Sequence, residues 1–164
     1  MTRLSKAILA SLRSKAKVAA SGAYAPYSHF PVGAAVLTKS GQVFSGCNVE
    51  NSSFGLTICA ERNAVFQAVQ GEGGGIEAVV IYAGDDGPTP PCGACRQVIS
   101  EFGPDAVVYS FSHTGRAKRW TLRKLLPGPF GPSGLTTKVR GKGHDRVGVG
   151  RPGAPPQGRR RQSV

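Results

Sequence analysis

Residues 76–83 read Ile-Glu-Ala-Val-Val-Ile-Tyr-Ala, an apolar run rich in β-branched side chains. Such a run predicts a central strand that is buried on both faces of a sheet. A loop over 85–91 follows, and a helical segment from Gly93 to about Phe102 then leads to a second β-branched run at 106–110. The order strand, helix, strand indicates the middle of a layered α/β domain.

The segments upstream of this strand extend the same pattern. Apolar residues recur at helical spacing over 60–69, and the glycine-rich stretch 71–75 ends that helix. Further upstream, 32–38 and 42–46 predict two strands of a hairpin. Residues 3–20 predict a helix. This terminus has no acidic residue, so its composition also fits a mitochondrial transit peptide. The helical spacing of its apolar residues favours the first helix of the domain.

Downstream of the central run, 117–121 predict a further strand and 122–126 a short helical turn. Strands therefore alternate with helices, which predicts an α/β domain with helices on both faces of its sheet. No apolar run reaches the roughly 18 residues of a membrane-spanning helix. We therefore expect no membrane partner.

Three of the four cysteines stand where helices are predicted to begin. Cys59 opens one helix, and Cys92 and Cys95 open the next in Pro-Cys-Gly-Ala-Cys-Arg. Because Cys92 and Cys95 are three residues apart, a first helical turn would place both sulfurs on one face. The positive end of a helix dipole favours thiolates, and three thiolates suit Zn²⁺.

The fourth ligand of such a zinc ion is not obvious in the sequence. Structural sites are closed by four protein ligands, whereas catalytic sites keep one position for water. Cys47 and the three histidines are candidates, although none lies near the cysteine pair in sequence. A closed structural zinc and a redox Cys-x-x-Cys therefore stay open as alternatives, but the redox alternative leaves Cys59 and Glu61 without a role.

Charged side chains follow the cysteines directly. Glu61 comes two residues after Cys59, and a carboxylate beside a metal site can accept a proton from water and return it to a leaving group. Three thiolates on Zn²⁺ leave a net charge of −1, which a guanidinium hydrogen-bonded to sulfur would offset. Arg62 and Arg96 are placed for this, with exposure to solvent as the alternative for both.

Several segments together resemble the zinc-dependent cytidine deaminases with three cysteine ligands. They are Ala-Pro-Tyr-Ser-His-Phe-Pro-Val-Gly-Ala-Ala at 25–35, Gly-Cys-Asn-Val-Glu-Asn at 46–51, Thr-Ile-Cys-Ala-Glu-Arg at 57–62, Pro-Cys-Gly-Ala-Cys-Arg-Gln at 91–97 and Leu-Leu-Pro-Gly-Pro-Phe-Gly-Pro at 125–132. The resemblance implies a three-layer α/β/α fold with a five-stranded mixed sheet. It also implies hydrolytic deamination of cytidine and 2′-deoxycytidine to uridine and 2′-deoxyuridine plus ammonia, as in pyrimidine salvage.

The resemblance further implies roles for the matching positions and a cytoplasmic homotetramer. One zinc per subunit would be held by Cys59, Cys92 and Cys95, with Glu61 as the proton shuttle to the water that zinc activates. Nucleoside contacts would come from Asn48 and Glu50 to the ribose 3′-hydroxyl, Phe30 to the pyrimidine ring, the Ala60 backbone to the base edge, and Phe130 to a neighbouring subunit's pocket. Core packing is the alternative for the two phenylalanines, and a polar loop is the alternative for Asn48 and Glu50.

The net charge of +12 is unevenly distributed along the 164 residues. The segment 138–164 holds eight basic residues and one acid, so it alone carries +7, and it is rich in glycine and proline. We therefore expect a deaminase domain over 1–135 and a disordered basic tail over 136–164.

Nucleic acid is not the expected partner, because a ribose site that binds a free 3′-hydroxyl favours a small-molecule nucleoside. A deaminase of a nucleoside antibiotic or of polynucleotide cytosine, and a non-catalytic zinc-stabilised binding module, stay open as alternatives.

Overall fold

The computed structural model describes residues 4–72 and 75–131, so the expected tail at 136–164 lies outside the described residues. The elements in chain order are α1 (Lys6–Ala20), β1 (Val32–Thr38), β2 (Val43–Cys47), a 3₁₀ turn (Phe54–Leu56), α2 (Ala60–Glu72), β3 (Ile76–Ala83), α3 (Gly93–Phe102), β4 (Val107–Ser112), β5 (Ala117–Thr121) and α4 (Leu122–Leu125). Strands and helices alternate as the sequence predicts.

The strands form one five-stranded sheet in the order β2-β1-β3-β4-β5. β3 and β4 are parallel, and the other neighbouring strands are antiparallel. The β-branched run at 76–83 is therefore the central strand. The predicted mixed sheet is confirmed.

Helices cover both faces of the sheet. On one face, Leu12 and Ala16 of α1 pack in a buried cluster with Val80. On the other face, α2 and α3 contribute Val65 and Ile99 to a second cluster that includes sheet residues of β1, β3 and β4. This confirms the three-layer α/β/α arrangement and leaves α2 and α3 on the same side.

Most predicted element bounds agree with the structure, and the differences have local causes. α1 begins at Lys6 rather than residue 3, because the Ser5 side chain accepts a hydrogen bond from the Ile8 N–H and caps the helix. β4 continues past the predicted end at 110, because Phe111 is paired with Ala117 of β5.

Two glycines let helices lie directly on the sheet. A Cβ on Gly33 would overlap the Ala16 carbonyl oxygen in α1. A Cβ on Gly46 would lie 2.7 Å from the Ala64 nitrogen in α2. The close contact between Gly46 of β2 and α2 fixes the position of the first turn of this helix.

Candidate active site

The N-termini of α2 and α3 bring the three predicted cysteine ligands together. Their sulfur atoms all lie within 4.8 Å of one another, and Cys59 Sγ and Cys92 Sγ are 3.8 Å apart. Cys59 directly precedes α2, Cys92 is the N-cap residue of α3, and Cys95 lies in the first turn of α3. Cys92 is exposed and Cys95 is buried, so the cluster lies at the edge of the core.

The geometry of this cluster fits zinc. Two sulfurs bound at about 2.3 Å to a tetrahedral Zn²⁺ are separated by about 3.8 Å, which is the spacing of Cys59 and Cys92. Thiolate is also the ligand type that a soft tetrahedral site prefers. The residues present therefore fit a zinc ion bound through three sulfurs.

The sulfurs also set each other's protonation. A hydrogen bond from the Cys95 thiol lowers the pKa of Cys59 to about 5, and the Arg62 guanidinium lowers it further in the same direction. The same interaction with Cys59, together with burial, raises the pKa of Cys95. Zinc ligation requires thiolates, so binding of the ion would displace any proton that these sulfurs hold.

Glu61 is the buried carboxyl group beside this cluster. It lies in the first turn of α2, and only 6% of the residue is exposed. Burial raises the pKa of Glu61 to about 7, and the neighbouring Cys59 thiolate raises it as well. A carboxyl group with a pKa near neutrality can both accept and donate a proton at physiological pH.

The two arginines that follow the ligand segments have different partners. Arg62 Nη2 donates to Cys59 Sγ at 3.5 Å and to the Thr57 carbonyl at 2.8 Å. Arg96 donates through Nε to the Pro91 carbonyl at 2.7 Å and through Nη1 to the Leu125 carbonyl at 3.0 Å. In the described structure, the sulfur contact expected of both arginines is therefore made by Arg62, while Arg96 binds the backbone next to Cys92.

Asn48 ties the end of β2 to the loop that carries Phe30. It is 8% exposed; its Oδ1 accepts from Val32 N at 2.9 Å, and its Nδ2 donates to the Phe30 carbonyl at 3.0 Å. A carboxamide has two N–H donors and two acceptor sites per oxygen. Asn48 therefore keeps one N–H for a further acceptor while it holds the loop.

Glu50 binds the same loop from its other side. Its Oε2 accepts from the backbone N–H groups of Tyr27 at 2.9 Å and Ser28 at 3.2 Å. A hydrogen bond from the Ser28 side chain lowers the pKa of Glu50, and the two backbone bonds act in the same direction. A carboxylate has about four acceptor sites, so the two backbone N–H groups and the Ser28 hydroxyl leave about one for another hydroxyl group.

The loop itself contains an unusual backbone conformation. His29 has a φ of 55°, in the left-handed region, and its N–H donates to the Ala25 carbonyl at 3.1 Å. The next residue, Phe30, is half-buried. The residue that follows the turn at His29 is thus the one whose carbonyl accepts the Asn48 hydrogen bond.

The remaining candidates for a fourth ligand lie elsewhere. Cys47 is half-buried and donates through Sγ to the Gly22 carbonyl at 3.3 Å. His113 contacts the Asp85 carbonyl through Nδ1 at 3.0 Å. His29 lies in the loop described above, and His144 is outside the described residues. Among residues 4–72 and 75–131, the metal cluster therefore consists of three cysteines.

Comparison with known proteins agrees with this site. The family model for the cytidine and deoxycytidylate deaminase zinc-binding region matches residues 8–111, which include all three cysteines and Glu61. The chain belongs to the cytidine and deoxycytidylate deaminase family. Zinc is accordingly the metal of the three-cysteine cluster.

This chain is similar in sequence to individual cytidine deaminases over most of their length. The chain is 45% identical over 126 residues to the cytidine deaminase of Sporosarcina psychrophila, which is 76% of this chain and 93% of that protein. It is 46% identical over 130 residues to the cytidine deaminase of Mycobacterium tuberculosis strain H37Rv, covering 79% of this chain and 94% of that protein. The crystal structure of the Burkholderia pseudomallei cytidine deaminase superposes with a TM-score of 0.71 at 44% identity, over 79% of this chain and 100% of that chain.

The deaminase chain also contains contacts that the sequence did not single out. Gln97 pairs with the backbone of Phe130, and the Thr57 carbonyl accepts the hydrogen bond that orients Arg62. Gln97 does lie in the segment 91–97 that resembles the family, but its partner is 33 residues away.

In the described part of the chain, no helix is long and apolar enough to cross a membrane.

Proposed function

We propose that this deaminase hydrolyses cytidine and 2′-deoxycytidine to uridine and 2′-deoxyuridine with release of ammonia. One observation carries the proposal: the buried Glu61 carboxyl group lies beside three thiol ligands at the joined N-termini of α2 and α3. This arrangement combines a metal site with a group able to transfer protons, which is the combination that zinc deaminases use.

Glu61 acts as the proton shuttle in this reaction. Zinc, when bound by the three cysteines, supplies a Lewis acid that makes water a stronger acid and nucleophile at neutral pH. Glu61 takes a proton from the attacking water and gives it to N3 of the pyrimidine as the water oxygen adds to C4. Glu61 then takes the remaining proton from that oxygen and delivers it to the exocyclic amine, and the C4–N bond breaks to leave the C4 carbonyl and ammonia.

The loop contacts support a nucleoside site next to Glu61. The second N–H of Asn48 and the remaining acceptor site of the Glu50 carboxylate give one donor and one acceptor, which match a ribose 3′-hydroxyl. Phe30, half-buried on the same loop, would contact the pyrimidine ring. The backbone of the buried Ala60, between Cys59 and Glu61, would contact the base edge.

The arginines would support the metal ligands in two ways. Arg62 places a positive charge against Cys59 Sγ and would offset the negative charge of three thiolates on zinc. Arg96 holds the Pro91 carbonyl, directly before Cys92, and would keep this ligand in place. We assign both as positioning residues.

Assembly and cellular role are part of the same proposal. Phe130 is 64% exposed although it is a large apolar side chain, which favours burial against a second copy of the chain. We propose a homotetramer in which Phe130 completes a neighbouring subunit's pocket. Reduced thiol ligands favour the cytoplasm, and the reaction would serve pyrimidine salvage.

A deaminase domain over 1–135 with a separate tail over 136–164 also remains a proposal. Truncation after residue 137 is expected to leave cytidine turnover and subunit number unchanged. Loss of either property would show that the tail contributes to the enzyme.

The function is tested by following the absorbance of cytidine, 2′-deoxycytidine and a single-stranded oligonucleotide, with and without a zinc chelator. We expect turnover of both nucleosides, little turnover of the oligonucleotide, and loss of activity on chelation. Glu61→Ala should keep its zinc and lose nearly all turnover, by a factor of about 10² to 10⁴. Zinc content without turnover of any pyrimidine would instead indicate a binding module.

A further inference from the structure

The Gln97 side chain forms a reciprocal pair with the backbone of Phe130. Gln97 Nε2 donates to the Phe130 carbonyl at 2.7 Å, and Phe130 N–H donates to Gln97 Oε1 at 3.2 Å. The pairing fixes the orientation of the carboxamide, because one end must accept and the other must donate. Glutamate and methionine have a similar length but cannot make both bonds.

Gln97 connects Phe130 to the helix that carries two metal ligands. It lies in α3, two residues after Cys95 and five after Cys92. The preceding residue, Arg96, binds the Leu125 carbonyl at the end of α4. The segment 125–131 is therefore attached to α3 at both ends by two consecutive side chains.

The segment between these attachments has little regular structure to hold it. Residues 126–131 lie outside helices and strands and include two prolines and two glycines. The side chain of Phe130 is mostly exposed, so core packing does not fix its position. The direction in which Phe130 projects is therefore set by its backbone, and Gln97 holds that backbone.

We propose that Gln97 is a positioning residue that holds Phe130 in the geometry required for nucleoside binding and couples it to the zinc-bearing helix. This rests on the proposed function, in which Phe130 of one subunit completes the nucleoside pocket of a neighbouring subunit. Gln97 acts through Phe130 and is not itself expected to touch the nucleoside. The coupling means that loss of the Gln97 pair affects substrate affinity rather than the chemical step.

The test is a double-mutant cycle with Gln97→Met and Phe130→Ala in the full chain, measured as KM and kcat for cytidine with zinc content alongside. Each single substitution should raise KM and leave kcat and zinc content unchanged. For Gln97→Met the increase should be about tenfold, because two hydrogen bonds to the Phe130 backbone are lost. In the Phe130→Ala background, Gln97→Met should have no further effect. Gln70→Met, at an exposed position on α2, is the matched control and should behave as wild type.

A second measurement is independent of activity. Hydrogen exchange of the Phe130 amide should become faster in Gln97→Met than in wild type or Gln70→Met, because that N–H loses its acceptor. Unchanged exchange would overturn the positioning role whatever the substrate.

Two kinetic results and one metal measurement would also overturn the positioning role. They are an unchanged KM in Phe130→Ala, a full Gln97→Met effect in the Phe130→Ala background, and a loss of zinc that accounts for the whole effect. Failure of wild type to deaminate cytidine would overturn the proposed function instead. In that case the exchange measurement still tests whether Gln97 holds the Phe130 backbone.

Discussion

Arg62 Nη2 lies 3.5 Å from Cys59 Sγ, so a guanidinium group directly contacts one of the three zinc ligands. The same nitrogen donates to the Thr57 carbonyl, which fixes the side chain in this orientation. The contact raises the pKa of Arg62 and contributes to the lowered pKa of Cys59. The positive charge is therefore held against the sulfur rather than left to the solvent.

Replacement of Arg62 by glutamine is expected to weaken zinc binding by about 10- to 100-fold, the usual effect of losing a partner of a metal ligand. Zinc release on acidification should also begin at a higher pH, because the Cys59 thiolate loses a favourable charge. Chelator competition across a pH series measures both effects. Lys15→Gln removes an equal charge from the exposed face of α1 and should change neither; an equal change in that variant would refute the specific role of Arg62.

Removal of zinc is expected to lower the melting temperature by about 10 °C. The three cysteines that would hold the ion lie at the N-termini of α2 and α3, so zinc would link the two helices, and a ligand that binds only the folded state stabilises it by mass action. Thermal unfolding with chelator and after zinc is restored measures this difference. A melting temperature unaffected by chelation would mean that zinc does not contribute to the stability of the fold.

The sequence was most informative where the cause of structure is local. The β-branched run at 76–83 and the helix at 93–102 have their predicted bounds, because periodicity and flanking glycine or proline decide them. The spacing of Cys92 and Cys95, together with two predicted helix starts, anticipated the metal cluster. Each of these features depends on residues a few positions apart.

The contacts that the sequence did not predict join distant parts of the chain. Arg96 reaches the Leu125 carbonyl and Gln97 reaches Phe130, and no local pattern indicates which remote backbone group lies within hydrogen-bond distance. The left-handed conformation of His29 is likewise imposed by the loop around it, which Asn48 and Glu50 hold. Tertiary structure decides these contacts, so they cannot be predicted from local sequence patterns.

Replacement of Asn48 by aspartate is expected to destabilise the protein by about 1–3 kcal/mol and to raise KM for cytidine. The carboxylate would still accept from Val32 N, but it would lose the hydrogen bond to the Phe30 carbonyl and oppose that oxygen. Urea unfolding and steady-state kinetics measure the two effects. Asn51→Asp is the matched control, since Asn51 Oδ1 accepts from Ser53 N and an aspartate can do the same; equal losses in both variants would contradict the prediction.

Glu50 is expected to make stability depend on pH in the acidic range. Because its folded pKa is lowered below 4.5, its contribution is present above about pH 4.5 and is lost as the pH falls through the lower folded value. The stability difference between wild type and Glu50→Gln should therefore be largest near neutrality and shrink below pH 4. Urea unfolding of both variants at several pH values tests the sign, and a difference that grows towards acid would contradict it.

Replacement of Gly46 by alanine is expected to displace the first turn of α2 and so damage the fold and the site together. The new Cβ would lie 2.7 Å from the Ala64 nitrogen and 3.1 Å from the Ala60 carbonyl oxygen, and backbone atoms of a helix cannot rotate away as a side chain would. The helix must therefore shift from β2, at a cost of about 1–3 kcal/mol. Cys59 and Glu61 flank Ala60, so cytidine turnover should fall along with the urea midpoint.

Gly55→Ala adds the same methyl group where nothing lies within 4 Å, and should leave both measurements unchanged. If Gly46→Ala were as stable and active as Gly55→Ala, the close approach of α2 to the sheet would not be what positions Glu61.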